Sequence, residues 1–260
     1  MQLLETKKEN YIGQADPFIL ESGGRYYIYT TGDDGIYAYS SDDLLTGWQF
    51  HGMVFTVPGE HSFWAPSVIE LDGTYYMYCS YEFFANTFEG DRIGTYIVVD
   101  KMLDPYTPAG HPVPVVVPTL DEEIFRRDRY KTGQHWHTIE GACYFREGDW
   151  QYVMYSGNCY LQPTYYIGYA RAKTNETDLT KIKFEKVPDD HTYAPVIRAN
   201  DWEEGTGHHS VIKKDGVWYA VYHARNVEDD GFEGDRRNAR ICRLEVKDGT
   251  ITAHRYPDHI

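Results

Sequence analysis

The sequence is short of what several common chemistries require. It has four cysteines, Cys79, Cys143, Cys159 and Cys242, and none forms a Cys-x-x-Cys pair, which argues against a zinc ribbon. Cys79, Cys143 and Cys242 lie in apolar runs, where reduced, buried thiols are expected. Positive charge is scarce: 25 Lys and Arg stand against 40 Asp and Glu, a formal net charge of −15. Such a surface repels phosphate backbones and anionic membranes, so neither nucleic acid nor a membrane is an expected partner. Anionic polysaccharides are disfavoured for the same reason, and a neutral ligand is easier to accommodate. There is no Gly-rich phosphate loop, no Gly-x-Ser-x-Gly nucleophile elbow, and no basic patch dense enough for nucleic acid. No apolar run approaches the roughly 20 residues of a membrane span. The opening stretch MQLLETKKENYIG lacks the apolar core of a signal peptide, so a cytoplasmic protein is expected. With no low-complexity segment and no evident linker, residues 1–260 read as one domain.

Aromatic residues are abundant: 24 Tyr, 11 Phe and 6 Trp. They favour strands, and they also line sites that stack on sugar rings. Many fall in a repeated pattern of a polar motif, a short β-branched run, a charged Gly turn and an aromatic run. The four copies are DPFILESGGRYYIY from Asp16, APSVIELDGTYYMY from Ala65, EGACYFREGDWQYVMY from Glu140 and HHSVIKKDGVWYAVY from His208. Each reads as a β-hairpin. Aligned on Gly24, Gly73, Gly148 and Gly216, the residues Asp16, Ala65, Glu140 and His208 share one position, eight before the glycine. Further strand-like runs, GIYAYSS, GTYIVVD and YYIGYARA, follow several hairpins. The pattern predicts an all-β fold, a β-propeller of four-stranded antiparallel blades, with four or five blades allowed by the spacing. The stretch 103–137 is less regular and reads as a long loop or a short helix.

Equivalent positions in successive blades meet near a propeller axis, so Asp16, Glu140 and His208 are expected to share one small volume. Two carboxylates across a pocket are the minimum for glycoside hydrolysis. Asp has the lower intrinsic pKa and suits the base, and Glu140, between Ile139 and Gly141-Ala142, suits the acid. The alternatives are plainer: Asp16 caps a turn before Pro17, and Glu140 is a surface residue. His208 and His209 precede a strand and do not form an i,i+4 helical pair, which excludes a zinc site of the His-Glu-x-x-His kind. Trp64 either stacks on a sugar face or plugs a blade interface. His135, Trp136 and His137 are candidates for the pocket rim, or else for the core.

These motifs in this order resemble family 43 of the glycoside hydrolases, a family of β-xylosidase- and α-L-arabinofuranosidase-like propellers. Its fructan-cleaving relatives are more distant. The residues carrying the resemblance are Ala15-Asp16-Pro17, Trp64-Ala65-Pro66, Ile139-Glu140-Gly141-Ala142, Gly207-His208-His209-Ser210 and Arg237 in RRNARICRL. It spans about Gly13 to Leu244. The resemblance implies a five-bladed propeller with Asp16 as general base and Glu140 as general acid. It further implies sugar contacts from Trp64, His209 and Arg237, and His208 supporting an axial ion, often calcium. No organic cofactor is implied. The usual outcome in such a family is inversion on arabinose- or xylose-containing oligo- or polysaccharides.

The chain departs from this pattern at one point. The family uses a third carboxylate to tune the acid, and here Ser67 follows Trp64-Ala65-Pro66. Between Tyr81 and Gly94 no hairpin could carry it, so region 81–137 is not expected to form a complete four-stranded blade, and one blade looks truncated. Asp91 and Asp128 are conceivable substitutes outside the repeat register. Two further functions therefore stand beside an active pentoside hydrolase: a catalytically impaired propeller that binds carbohydrate, and a hydrolase of another sugar class such as fructan.

Overall fold

The computed structural model describes residues 15–31, 35–43, 45–56, 61–83, 92–229 and 237–256. Among them the regular structure is strand, with short 3-10 turns and no α-helix. Among the described residues no helix is long and apolar enough to cross a membrane.

The first sheet holds β1 (Ala15–Ser22), β2 (Arg25–Thr31), β3 (Ile36–Ser41) and β4 (Gln49–Phe55) in that order, antiparallel throughout. The second is built on β5 (His61–Leu71), β6 (Thr74–Phe83) and β7 (Gly94–Asp104), with β8 (Thr107–Pro108) and β9 (Val113–Val116) along β7. Then β10 (Ile124–Arg126) pairs with β11 (Trp136–Glu147), which continues through β12 (Trp150–Gly157), β13 (Tyr166–Lys173) and β14 (Glu185–Lys186). A short parallel contact, His137 with Gly94 and Thr138 with Thr95, joins β11 to β7. The last sheet runs β15 (Glu203–Lys214), β16 (Val217–Asn226), β17 (Asn238–Lys247) and β18 (Thr250–His254).

Apolar side chains on both faces of the inner strands explain why the sheets stack in chain order. Tyr29 and Ile36 of the first sheet pack with Val68, Met77 and Val98 of the second. Tyr78, Ile97 and Val99 pack with Ile139 and Val153. Tyr152, Met154 and Ile167 pack with Ala220, Tyr222 and Leu244. Face-to-face stacking of successive antiparallel sheets is the arrangement of propeller blades. Cys79 and Cys242 are buried and Cys143 is half-buried, all as free thiols.

All four predicted hairpins form. Their two-residue turns are Gly23-Gly24, Asp72-Gly73, Gly148-Asp149 and Asp215-Gly216. The third differs from the others. Its glycine occupies the first turn position, at φ 59, where a turn of the II′ type requires it; the other three turns carry positive φ at both positions. Alignment on glycine therefore misplaces the third repeat by one residue. The residue equivalent to Asp16, Ala65 and His208 is Gly141, and Glu140 is equivalent to Ala15, Trp64 and Gly207.

The stretch 103–137 is neither a long loop nor a helix. It holds β8, β9, β10 and one 3-10 turn, Asp121–Glu123. Among the described residues of 81–137, every strand attaches to the sheet of β5 and β6 or to β11, and none builds a separate four-stranded sheet.

Candidate active site

The corrected register explains a shared backbone irregularity. Each inner strand carries a bulge seven to eight residues before its turn: pairing skips between Ala15 and Phe18, Trp64 and Ser67, Glu140 and Cys143, and Gly207 and Ser210. The first bulged residue is left-handed in every case, with φ 47 at Asp16, 54 at Ala65, 63 at Gly141 and 44 at His208. A non-glycine residue there costs on the order of 1–3 kcal/mol and persists only when its surroundings hold it. Bulges also re-aim side chains, and the four bulged residues line one cavity.

Hydrogen bonds between neighbouring sheets hold the bulges. The Thr31 hydroxyl donates to Asp16 Oδ2 at 2.7 Å, and the Ala65 N–H donates to Thr31 Oγ1 at 3.0 Å and to Asp16 Oδ2 at 3.3 Å. The His208 N–H likewise donates to Ser156 Oγ at 2.8 Å. Thr31 lies opposite Ala15, and Ser156 lies opposite Glu140, so one device recurs: a hydroxyl on the second strand of one sheet pins the left-handed residue of another.

Glu140 is gripped at both oxygens. The Trp64 indole N–H donates to Oε2 at 2.7 Å, and the Tyr165 hydroxyl donates to Oε1. Trp64 thus serves as a hydrogen-bond donor to the candidate acid, which neither sequence expectation anticipated. Tyr165 is fully buried, and its ring lies so close to Gly207 that a Cβ there would stand 1.8 Å from it. Burial pushes the Tyr165 phenol well above its usual range, and the neighbouring Glu140 charge adds to this, so it remains a donor. Consecutive residues link the two candidate catalytic groups, with the Ala65 N–H on Asp16 and the Trp64 indole on Glu140.

Asp16, His208, His209 and Arg237 line one cavity of about 620 Å³, together with Ala65 and Gly141. Trp64 and Glu140 immediately precede those last two. Arg237 is exposed at this cavity, its guanidinium 4.2 Å from the centre of the Tyr160 ring. The His208 ring stacks on His223 with centroids 6.5 Å apart. His209 is buried with neither ring nitrogen bonded, and burial, helped by His208, lowers its pKa to about 3. Calcium takes six to eight oxygen ligands. Among the described residues no three His, Cys, Asp or Glu side chains converge as a metal-ligand set. The ring surroundings of His208 do not fit calcium.

Three candidates for the pocket rim lie elsewhere. Trp136 is 1% exposed beneath the Arg129 guanidinium, and His137 is buried against Arg92 and the Ile93 carbonyl. His135 accepts from the Asp128 N–H. The start of β11 pairs with β10 and β7, and none of the three residues lines the Asp16 cavity. Asp128 accepts from the Gly133 N–H at 2.6 Å and so closes a surface turn; Asp91 lies outside the described residues. Sequence reasoning missed Thr31, Ser156 and Tyr165. The first two had a signal, since Thr31, Ser80 and Ser156 follow the aromatic run at one register position. Tyr165 lies just before β13, outside the repeat, and had none.

The profile of Glycosyl hydrolases family 43 matches residues 12–130 and 118–251. Among solved structures, a thermostable family-43 glycoside hydrolase is 23% identical, with 93% of each chain covered and a TM-score of 0.59. An endo-1,4-β-xylanase from Bacteroides thetaiotaomicron is 21% identical, covering 95% of this chain and 96% of that one, with a TM-score of 0.52. An α-L-arabinofuranosidase from Lactobacillus brevis is 18% identical over 93% of each chain, also at 0.52. A probable arabinan endo-1,5-α-L-arabinosidase C of Aspergillus clavatus is 38% identical over 66 residues, 23% of this chain and 20% of that relative. The profile match across most of its length shows that this chain belongs to glycosyl hydrolase family 43.

Proposed function

We propose that the chain is a β-propeller glycosidase that cleaves arabinose- or xylose-containing glycans with inversion, Asp16 acting as general base and Glu140 as general acid. One observation carries the reading: the two carboxylates, on two different inner strands, are held by consecutive residues of a third, Ala65 and Trp64. Asp16 stands in the cavity wall, where its Oδ2 is oriented by two donors, so a water bound there would lose its proton to a fixed acceptor. Glu140 is oriented by Trp64 and Tyr165, which suits a group that must present one oxygen to a leaving group. Arg237, exposed at the cavity, supplies donors for sugar hydroxyls, whereas His209 keeps both ring nitrogens buried and offers the sugar none.

Base and acid are told apart by mutation. Asp16→Asn should abolish activity on every substrate, because no leaving group compensates for a missing base. Glu140→Gln should lose the roughly 10²–10⁴-fold typical of general acid catalysis on natural glycans, and much less on activated aryl glycosides. Proton NMR of the first-formed anomer should show inversion. Near-wild-type rates in both variants would overturn the assignment.

A second reading, a propeller that binds carbohydrate with impaired turnover, is favoured by the neighbours of Glu140. Their contacts come from an indole and a phenol, and no carboxylate is bonded to it among the described residues. Sugar binding by calorimetry without hydrolysis of nitrophenyl pentosides or arabinan would select it.

A further inference from the structure

One short loop reverses the charge of this acidic chain. Between β10 and β11, Arg127, Arg129 and Lys131 follow Arg126, with Asp128 as the sole acidic residue among them. The loop closes over a recess of about 370 Å³ whose wall includes Arg92, Lys131, His135 and His137. None of the described residues lining it is acidic.

The recess is braced from within. Arg92 Nη1 donates to Asp121 Oδ1 at 2.6 Å and to His137 Nε2 at 2.9 Å, while His137 Nδ1 donates to the Ile93 carbonyl at 3.2 Å. That pairing leaves Nε2 as the acceptor and fixes the guanidinium in the wall. These two bonds engage one nitrogen of a group with five N–H donors, suited to a carboxylate. Beside the recess, Tyr130 is 53% exposed, and its ring meets Trp136 edge-on at 5.8 Å. The Arg129 guanidinium lies over both rings, 5.2 Å from Tyr130 and 4.3 Å from Trp136. An exposed, braced aromatic face next to converging cations fits a sugar ring bearing a negative charge. A bare phosphate would have no use for the aromatic face.

The loop leads directly into β11, and Glu140 follows His137 by three residues, roughly 10 Å of strand. That is within reach of a branch or a neighbouring sugar on one glycan. The overall charge of −15 does not forbid such a ligand, because charges farther away than about 8 Å are largely screened at physiological ionic strength. We propose that this recess is a subsite for a uronic acid, a carboxylate-bearing sugar carried on the glycan that the neighbouring cavity takes. The inference rests on the glycosidase reading for its substrate, and on the recess alone for its charge.

Calorimetry on the full chain tests it, with three probes: a neutral xylo-oligosaccharide, the same oligosaccharide with one glucuronic acid branch, and free glucuronate. The branched ligand should bind about tenfold tighter than the neutral one. Lys131→Glu and Arg92→Gln should each remove that gain, as should high salt. Thermal melting confirms that each variant is folded, and exposed Lys131 keeps the test open should Arg92→Gln unfold. Equal affinity for the two oligosaccharides, or a gain that survives Lys131→Glu, overturns the subsite. Hydrolysis of a neutral nitrophenyl pentoside, read in parallel, reports the glycosidase reading separately. If neither oligosaccharide binds, free glucuronate decides: salt- and Lys131-dependent binding supports the anion site, and its absence refutes it.

Discussion

Tyr165→Phe removes a single hydroxyl from a fully buried side chain and leaves the ring packing against Gly207 in place. What disappears is the donor to Glu140 Oε1, leaving the Trp64 indole on Oε2. A hydrogen bond between neutral groups contributes about 0.5–1.5 kcal/mol, so if it orients the protonated acid, kcat/KM should fall by roughly 2- to 12-fold. The fall should not be uniform. Measured on aryl pentosides with leaving groups of graded acidity, it should be small for nitrophenol and grow as the leaving group comes to need a proton. Stability should change by only about 1 kcal/mol, since Glu140 is partly exposed and water can replace the donor. Gly207→Ala attacks the same contact from the other side, because its Cβ must displace the Tyr165 ring; it should show the same leaving-group dependence with a larger loss of stability. A Tyr165→Phe enzyme with wild-type kcat/KM across the whole series would refute the positioning role. An equal loss on every leaving group would mean that Tyr165 supports the fold and nothing more.

Other outcomes follow from the same geometry. His209 has its pKa lowered to about 3 by burial, so between that value and the ordinary 6.5 the unfolded chain binds more protons than the folded one. Stability should be full above pH 6.5 and decline as pH falls toward 3, and His209→Gln should flatten that limb in denaturant titrations; an unchanged limb would contradict the burial argument. Lys186 Nζ meets Glu123 Oε1 at 2.5 Å with both side chains buried, so Glu123→Gln should cost about 3–5 kcal/mol and Glu123→Gln with Lys186→Met should recover much of it. A loss under 1 kcal/mol in chemical denaturation would show the pair to be solvated. Chelation should leave Tm unchanged, since the described surroundings of His208 offer no calcium ligand set; a drop of several degrees reversed by calcium would place an ion there.

What the sequence determined by itself is local. Alternating aromatic and β-branched runs separated by Asp-Gly and Gly-Gly turns dictate hairpins, because strand period and turn conformation are set by neighbouring residues. The stacking of the sheets followed from the apolar content of the inner strands, and the short polar motifs marked Asp16, Trp64, Glu140 and His208 as unusual. Tertiary structure decided the rest. The one-residue shift at Glu140 arises because Gly148 occupies the first position of its turn, a backbone matter that composition does not reveal. The left-handed bulges at Asp16, Ala65 and His208 are unfavourable locally and exist because Thr31 holds Asp16 from the paired strand while Thr31 and Ser156 reach across sheets to Ala65 and His208. Tyr165 finds Glu140 only because Gly207, 42 positions later, leaves its ring the space. Pairings over such separations depend on how the sheets pack against one another, and only the folded chain supplies that information.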